Sequence, residues 1–190
     1  RASVPWDAFP WAPRLALALF VHQVEGLEPG LYLLPRDPES EPRLRAAFRG
    51  DFLWTPVEGT DLPLRLLAPG EIRATTSKLC CLQAIAGNGA FSVGMIADFD
   101  RTLAEAGDWA YRRLHWEAGL IGQVLYLEAT AAGRAGTGIG CFFDDEVHAL
   151  LGLAPETTAW RTLYHFTVGE AVDDPRIATR PPYAHLGSRD

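Results

Sequence analysis

The sequence is short of lysine, of cysteine and of long apolar runs, and each shortage narrows what the chain can do. Lys78 is the single lysine among 17 basic residues, and the formal net charge is -7 with a pI near 5.2. Polyanion partners select clustered cations, so a nucleic-acid partner is not expected. The longest apolar run, Leu15 to Val21, is far short of the ~20 residues that span a bilayer, and no basic, apolar and small-residue leader opens the chain. The chain therefore reads as a soluble, cytoplasmic protein with no membrane partner. Three cysteines, Cys80, Cys81 and Cys141, cannot build a paired secretory framework, and no His or Cys stands at zinc-finger spacing around them. Reduced thiols and no metal are the expectation. No internal repeat is visible.

What is present is enough for one core. With 190 residues, 48% hydrophobic and 22% charged, residues 1–190 read as a single domain. The chain opens at Arg1 rather than a methionine and is expected to lack its N-terminal segment. Leu15 to Val21 and Leu31 to Leu34 read as strands of a hairpin turning through Glu25-Gly26-Leu27-Glu28-Pro29-Gly30. Arg43 to Phe48 suits a short helix, and Leu64 to Leu67 a brief extended piece. Apolar positions Ile72, Leu79, Leu82, Ile85 and Ala86 recur at helical spacing, predicting one helix over Glu71 to Ala86 that stops at Gly87. Ala90 to Phe99 reads as a central strand covered on both faces. Asp108 to Ala132 predicts a long buried helix, whose Gly119 and Gly122 mark close packing. A glycine-rich loop, Gly136 to Phe143, then leads into a helix over Asp144 to Leu151, and Arg161 to Val168 forms a strand. The tail, Asp173 to Asp190, holds three prolines and reads as an extended arm. This order suggests an α+β fold with a central mixed sheet.

No sharp polar catalytic constellation stands out. His115, His148 and Glu117 read as surface or hydrogen-bonded packing residues. Asp144-Asp145-Glu146 suits a helix N-terminus, where acidic side chains oppose the helix dipole, better than a metal site. Cys81 or Cys141 would need a base at hand to act as a nucleophile. Gly136 to Gly140 is more suggestive, because successive glycines let backbone N–H groups approach a flat heterocycle or a phosphate. The spacing is not the dinucleotide fingerprint, which follows a first strand rather than a long helix.

Several segments together resemble the nitroreductase superfamily. They are Tyr111-Arg112-Arg113-Leu114-His115-Trp116-Glu117-Ala118-Gly119-Leu120-Ile121-Gly122-Gln123, Leu127 to Ala131, Gly136-Thr137-Gly138-Ile139-Gly140-Cys141-Phe142, Leu150 to Leu153, Leu163 to Gly169 and Asp174-Pro175-Arg176. Val24 to Tyr32 and Cys81-Leu82-Gln83-Ala84-Ile85-Ala86 are similar to the SagB-type branch, which includes azoline-oxidising enzymes acting on peptides. The resemblance implies a nitroreductase-like α+β fold, a central mixed β-sheet flanked by helices, with FMN held at the interface of a homodimer or of a tandem-domain pseudo-dimer. It implies an FMN-dependent oxidoreductase acting on a small-molecule or peptide-derived substrate, with NAD(P)H as a possible electron donor. Gly138, Ile139, Gly140 and Cys141 would lie along the isoalloxazine, a backbone N–H addressing the N5 region, while Arg176 and Arg180 would hold the phosphate. The family's opening Arg-Arg-Ser segment is missing, and Phe9-Pro10-Trp11-Ala12-Pro13-Arg14 stands where a Ser/Gly-rich stretch is usual. Those departures keep open a second reading, a non-catalytic half serving as a dimerisation or binding scaffold, with the Gly138 segment blocked by a side chain such as Trp11. Related branches also remodel flavin itself, but no residue here argues for that.

Overall fold

The computed structural model describes residues 4–186, which excludes Arg1 and the last residues of the tail. In chain order the elements are β1 (Leu15–Val21), β2 (Gly30–Leu34), α1 (Glu41–Ala47), β3 (Thr55–Pro56), β4 (Arg65–Pro69), α2 (Arg73–Leu79) and α3 (Ala84–Asn88). There follow β5 (Phe91–Asp98), α4 (Phe99–Ala106), α5 (Tyr111–Ala131), β6 (Ala135–Ile139), α6 (Asp144–Leu151) and β7 (Trp160–Gly169). The strands form one seven-stranded sheet in the order β3-β4-β2-β1-β5-β7-β6.

The α+β class is as the sequence suggests, but every strand pairing is antiparallel rather than mixed. A parallel pair needs a crossover that brings the chain back to the same end of the sheet. Here each connection between neighbouring strands delivers the chain to the opposite end, including the long path from β5 to β7 through α4, α5, β6 and α6.

Alternation along the strands sorts their side chains onto two apolar layers. Ala16, Ala18 and Phe20 of β1 and Ile96 of β5 face one side, where Leu44 of α1, Leu79 of α2 and Val147 and Leu151 of α6 cover them. Leu15 of β1, Val93, Met95 and Ala97 of β5, and Phe166 and Val168 of β7 face the other, against Leu114, Ala118, Ile121 and Ala129 of α5. Because β1 and β5 are covered on both faces, they show near-continuous apolar runs. The hairpin falls where the sequence places it, with Leu17 opposite Leu34 and Val21 opposite Gly30.

Three expectations need correcting. The helix over Glu71 to Ala86 is two short helices, broken where Cys81 and Leu82 take left-handed φ values of 55° and 60°. The break turns Leu82 and Ile85 out to solvent, 75% and 47% exposed, while Leu79 and Ala86 stay buried; in a straight helix Leu82 would share the face of Leu79 and Ala86. The second helix ends at Asn88, capped by Gly89. The first half of the glycine-rich segment taken as a loop is an edge strand, β6, with Thr137 opposite Thr167 and Gly138 opposite Phe166, and residues 140–143 form the loop that leads into α6. Finally, α4 was not anticipated, since it lies between the strand and the long helix where charged residues alternate with few apolar ones; its Arg101 and Glu105 pair one turn apart. The tail from 170 to 186 carries exposed turns and a short 3-10 turn, Ala184–Leu186, in keeping with an arm.

Candidate functional site

The glycines of β6 are where the sheet meets its outermost edge. The Gly138 N–H turns off the ladder and donates to the Tyr126 hydroxyl at 2.8 Å. Alternation along an antiparallel edge strand carries the Gly136 N–H the same way. Gly140 follows just past the strand end, exposed, and no partner for its N–H is found among the described residues.

The need for glycine at 136 and 138 comes from neighbouring aromatics. A side chain at Gly136 would come within 2.7 Å of the Phe166 ring, and one at Gly138 would overlap the Tyr164 hydroxyl. Tyr164 lies between β6 and α5, its ring 3.2 Å from where a Cβ at Gly122 would be, which explains that helix glycine. Gly119 faces open space. Burial, and then the neighbouring Tyr126, raise the Tyr164 phenol above its ordinary range, so it stays protonated at neutral pH. At Gly140, by contrast, an added Cβ would meet nothing within 4 Å. Of the four backbone positions singled out from sequence, Gly138 is covered by two tyrosines and Ile139 is buried against Cys80 and Ala86. Gly140 and Cys141 are exposed. Trp11 is not what covers Gly138: it packs on Phe9 and on the Arg113 guanidinium.

Cys141 is not a free thiol. It forms a disulfide with Cys81, 60 residues earlier, at a Cα separation of 5.9 Å. This corrects the expectation of reduced thiols, and it depends on folding: the α2–α3 break and the end of β6 are brought side by side. Gln83 donates from its side-chain amide to the Cys141 carbonyl at 3.1 Å, and the Phe143 N–H donates to the Leu79 carbonyl at 2.8 Å. The open Gly140 N–H is a donor that an acceptor on the polar edge of a flat heterocycle can meet. Neither Gln83, Tyr126 nor Tyr164 was singled out from sequence, and only spacing in three dimensions could have found them. Beside β6, on the α3 side, a cleft of about 430 Å³ is lined by Asn88, Thr137, Thr167 and Glu170.

The remaining candidates divide clearly. Arg176 lies on the exposed arm with its guanidinium forked onto Asp174 at 2.6 and 2.9 Å, and Arg180 is exposed with no ion pair among the described residues. Neither is brought against the Gly140 corner by a contact. Glu117 is buried in α5, pairs with Arg36 and accepts the Arg14 N–H at 3.0 Å, so it fastens the N-terminal segment to the long helix. His115 packs edge-on against Tyr111. His148 is buried, with its pKa lowered chiefly by desolvation, and accepts the Thr162 N–H at 3.4 Å. Asp144, Asp145 and Glu146 occupy the first turn of α6. No group of His, Cys, Asp and Glu arranged to hold a metal is found among the described residues.

An antiparallel sheet covered by helices on both faces and ending in a glycine edge strand defines an α+β domain. The nitroreductase family profile matches residues 30–170, and the chain belongs to the nitroreductase family. A protein named for the nitroreductases in Methanocaldococcus jannaschii is 36% identical over 55 residues, 29% of this chain and 28% of that protein. A solved structure from Anabaena variabilis, also named for the nitroreductases, matches with a TM-score of 0.63 at 27% identity, covering 83% of this chain and 27% of that one. The Escherichia coli microcin synthetase McbBCD complex, with truncated pro-MccB17 bound, has the same fold: TM-score 0.56, 16% identity, 90% of this chain and 58% of that one. The chain thus spans about a quarter of the length of the first two relatives. No described helix is long and apolar enough to cross a membrane.

Proposed function

We propose that this chain is an FMN-dependent oxidoreductase domain of the SagB-type branch, passing hydride between flavin and a small-molecule or peptide-derived substrate. The observation that carries this reading is the open Gly140 amide at the end of the glycine strand, next in sequence to Cys141, whose carbonyl the Gln83 side-chain amide holds. FMN, when bound, supplies two-electron hydride chemistry that no side chain of this protein offers. The Gly140 N–H and Gln83 would orient the polar edge of its ring. Tyr126 and Tyr164 would hold β6 in place behind it, and Gly138, Ile139 and Cys141 would line the approach.

Arg176 and Arg180 would serve the phosphate, whose charge favours a guanidinium fork. Arg176 would first share or leave Asp174, an exposed pair that solvent screens. NAD(P)H is the proposed electron donor, in line with a nitroreductase family. The proposed assembly is a homodimer or tandem-domain pseudo-dimer. It is supported by the outward face of α5, where Trp116 and Leu127 are 52% and 60% exposed around Gly119 and Gln123. The proposed setting is the cytoplasm.

Two observations favour the scaffold reading instead: the Tyr126 hydroxyl already occupies the Gly138 N–H, and Arg176 is already engaged by Asp174. The absorption spectrum of the purified chain before and after adding FMN separates the two. Protein-bound flavin bands that NADPH bleaches under anaerobic conditions support the oxidoreductase. A protein that stays colourless after FMN is added and removed leaves the scaffold.

A further inference from the structure

The Cys81–Cys141 disulfide lies at the margin of the glycine edge rather than in a core. Cys141 is exposed and Cys81 half-buried. Exposed disulfides are the ones open to exchange with external thiols, whereas structural ones are shielded. The bond also holds an unfavourable backbone in place. Cys81 and Leu82 are consecutive non-glycine residues in left-handed conformation, with Leu82 75% exposed and so supported by little packing of its own. On the other side, the cross-link fixes the residue that directly follows Gly140.

We propose that Cys81–Cys141 is a thiol–disulfide exchange site whose partner is a dithiol reductant, and that its redox state sets the shape of the Gly140 edge. A thiolate of the reductant attacks the exposed Cys141 sulfur. The sulfur–sulfur bond breaks, and its electron pair leaves on Cys81, which takes up a proton. The reductant's second thiolate then attacks the mixed disulfide and releases Cys141 as a thiol. Two electrons and two protons pass to the protein, and the reductant becomes a disulfide. The third cysteine takes no part: Cys80 is buried beside His165, and burial pushes its thiol up to about 11, too high to supply a thiolate near neutral pH.

Once reduced, Cys81 and Leu82 are free to leave the left-handed region, and the Gln83 and Phe143 hydrogen bonds and the packing of Ile139 on Cys80 and Ala86 remain to tie the α2–α3 break to the end of β6. The Gly140–Phe143 segment then fluctuates. A consequence for FMN affinity rests on the function proposed above; the exchange site itself does not.

The test uses the full chain purified without reductant, alkylated under denaturing conditions and mapped by mass spectrometry. One modified cysteine, Cys80, is expected before treatment, and all three after the native protein is equilibrated with excess dithiothreitol. Amide exchange over residues 79–83 and 140–143 should speed up by at least about tenfold on reduction, as expected when a local restraint is lost. The Cys81→Ser/Cys141→Ser chain should exchange at the fast rate with or without reductant. Three modified cysteines before treatment, one after native reduction, or equal exchange in the two forms would each overturn the proposal. FMN affinity is read separately. Loss of FMN binding in both forms, with the thiol and exchange results intact, would sink the flavin reading and leave the exchange site standing.

Discussion

Strands β5 and β6 flank the same neighbour, β7, and are made in opposite ways. β5 is bonded on both edges and filled by its own side chains, with Val93, Met95, Ile96 and Ala97 essentially inaccessible. β6 is bonded on one edge, contributes almost no bulk, and has its space filled by Tyr126, Tyr164 and Phe166 from the elements around it. A strand of the first kind maximises buried apolar area and leaves no backbone group free. A strand of the second kind gives up that area and gains amides that can face a ligand. Stability is therefore concentrated at the centre of the sheet, and the glycine edge, where the proposed site lies, contributes little of it.

The comparison breaks if substitutions in the two strands behave alike. Met95→Ala, in the closed strand, should cost about 2–5 kcal/mol in urea unfolding, the range for large-to-small changes in a core. The shared strand β7 supplies the next test through His165, which sits opposite Gly94 and is fully buried. Burial pushes its pKa down to about 4, against about 6.5 in an unfolded chain. The unfolded state therefore binds the proton more readily between those values. Stability is full above pH 6.5 and falls as the pH drops towards 4, by on the order of 3 kcal/mol, and is flat in this respect below. Urea midpoints measured at pH 4.5 and 7.5 should show that slope in the wild type and a shallower one in His165→Gln, where the buried His22 and His148 still contribute.

Within β6 the contrast is between covered and open glycines. Gly138→Ala forces Tyr164 aside and should cost about 1–3 kcal/mol, as overpacking does. Gly140→Ala meets open space and should stay within about 0.5 kcal/mol of wild type by thermal unfolding. Between these two falls Tyr126→Phe, which removes the one hydrogen bond to the Gly138 N–H and should cost about 1 kcal/mol. If Gly138→Ala proved as harmless as Gly140→Ala, Tyr164 would not be what requires the glycine.

The same contrast explains what was legible in the sequence. β1, β5 and β7 show themselves as apolar or β-branched runs because both of their faces are covered, and α6 announces its start with Asp144-Asp145-Glu146. α5 is legible from the spacing of Leu114, Ala118 and Ile121. β6 is not, because glycines that make room for Tyr164 and Phe166 look, in one dimension, like a loop. The helix break at Cys81 and Leu82 turns Leu82 and Ile85 out to solvent, which the helical spacing of the apolar residues does not record. The glycine-rich segment stood out as chemistry-bearing. What surrounds it, Gln83, the two tyrosines and the Cys81 sulfur, comes from residues 12 to 60 positions away, and no motif spacing points to them.

The central claim is that the open Gly140 amide helps to hold a flavin. The most direct test is an FMN titration followed by absorbance, on the wild-type chain and on Gly140→Pro. Proline removes the N–H while the preceding Ile139, already extended in β6, tolerates it. The account predicts saturable binding near one FMN per chain in the wild type, weakened by at least about tenfold in Gly140→Pro with the fold retained. Equal affinity in the two proteins, or no binding to the wild type, would contradict it.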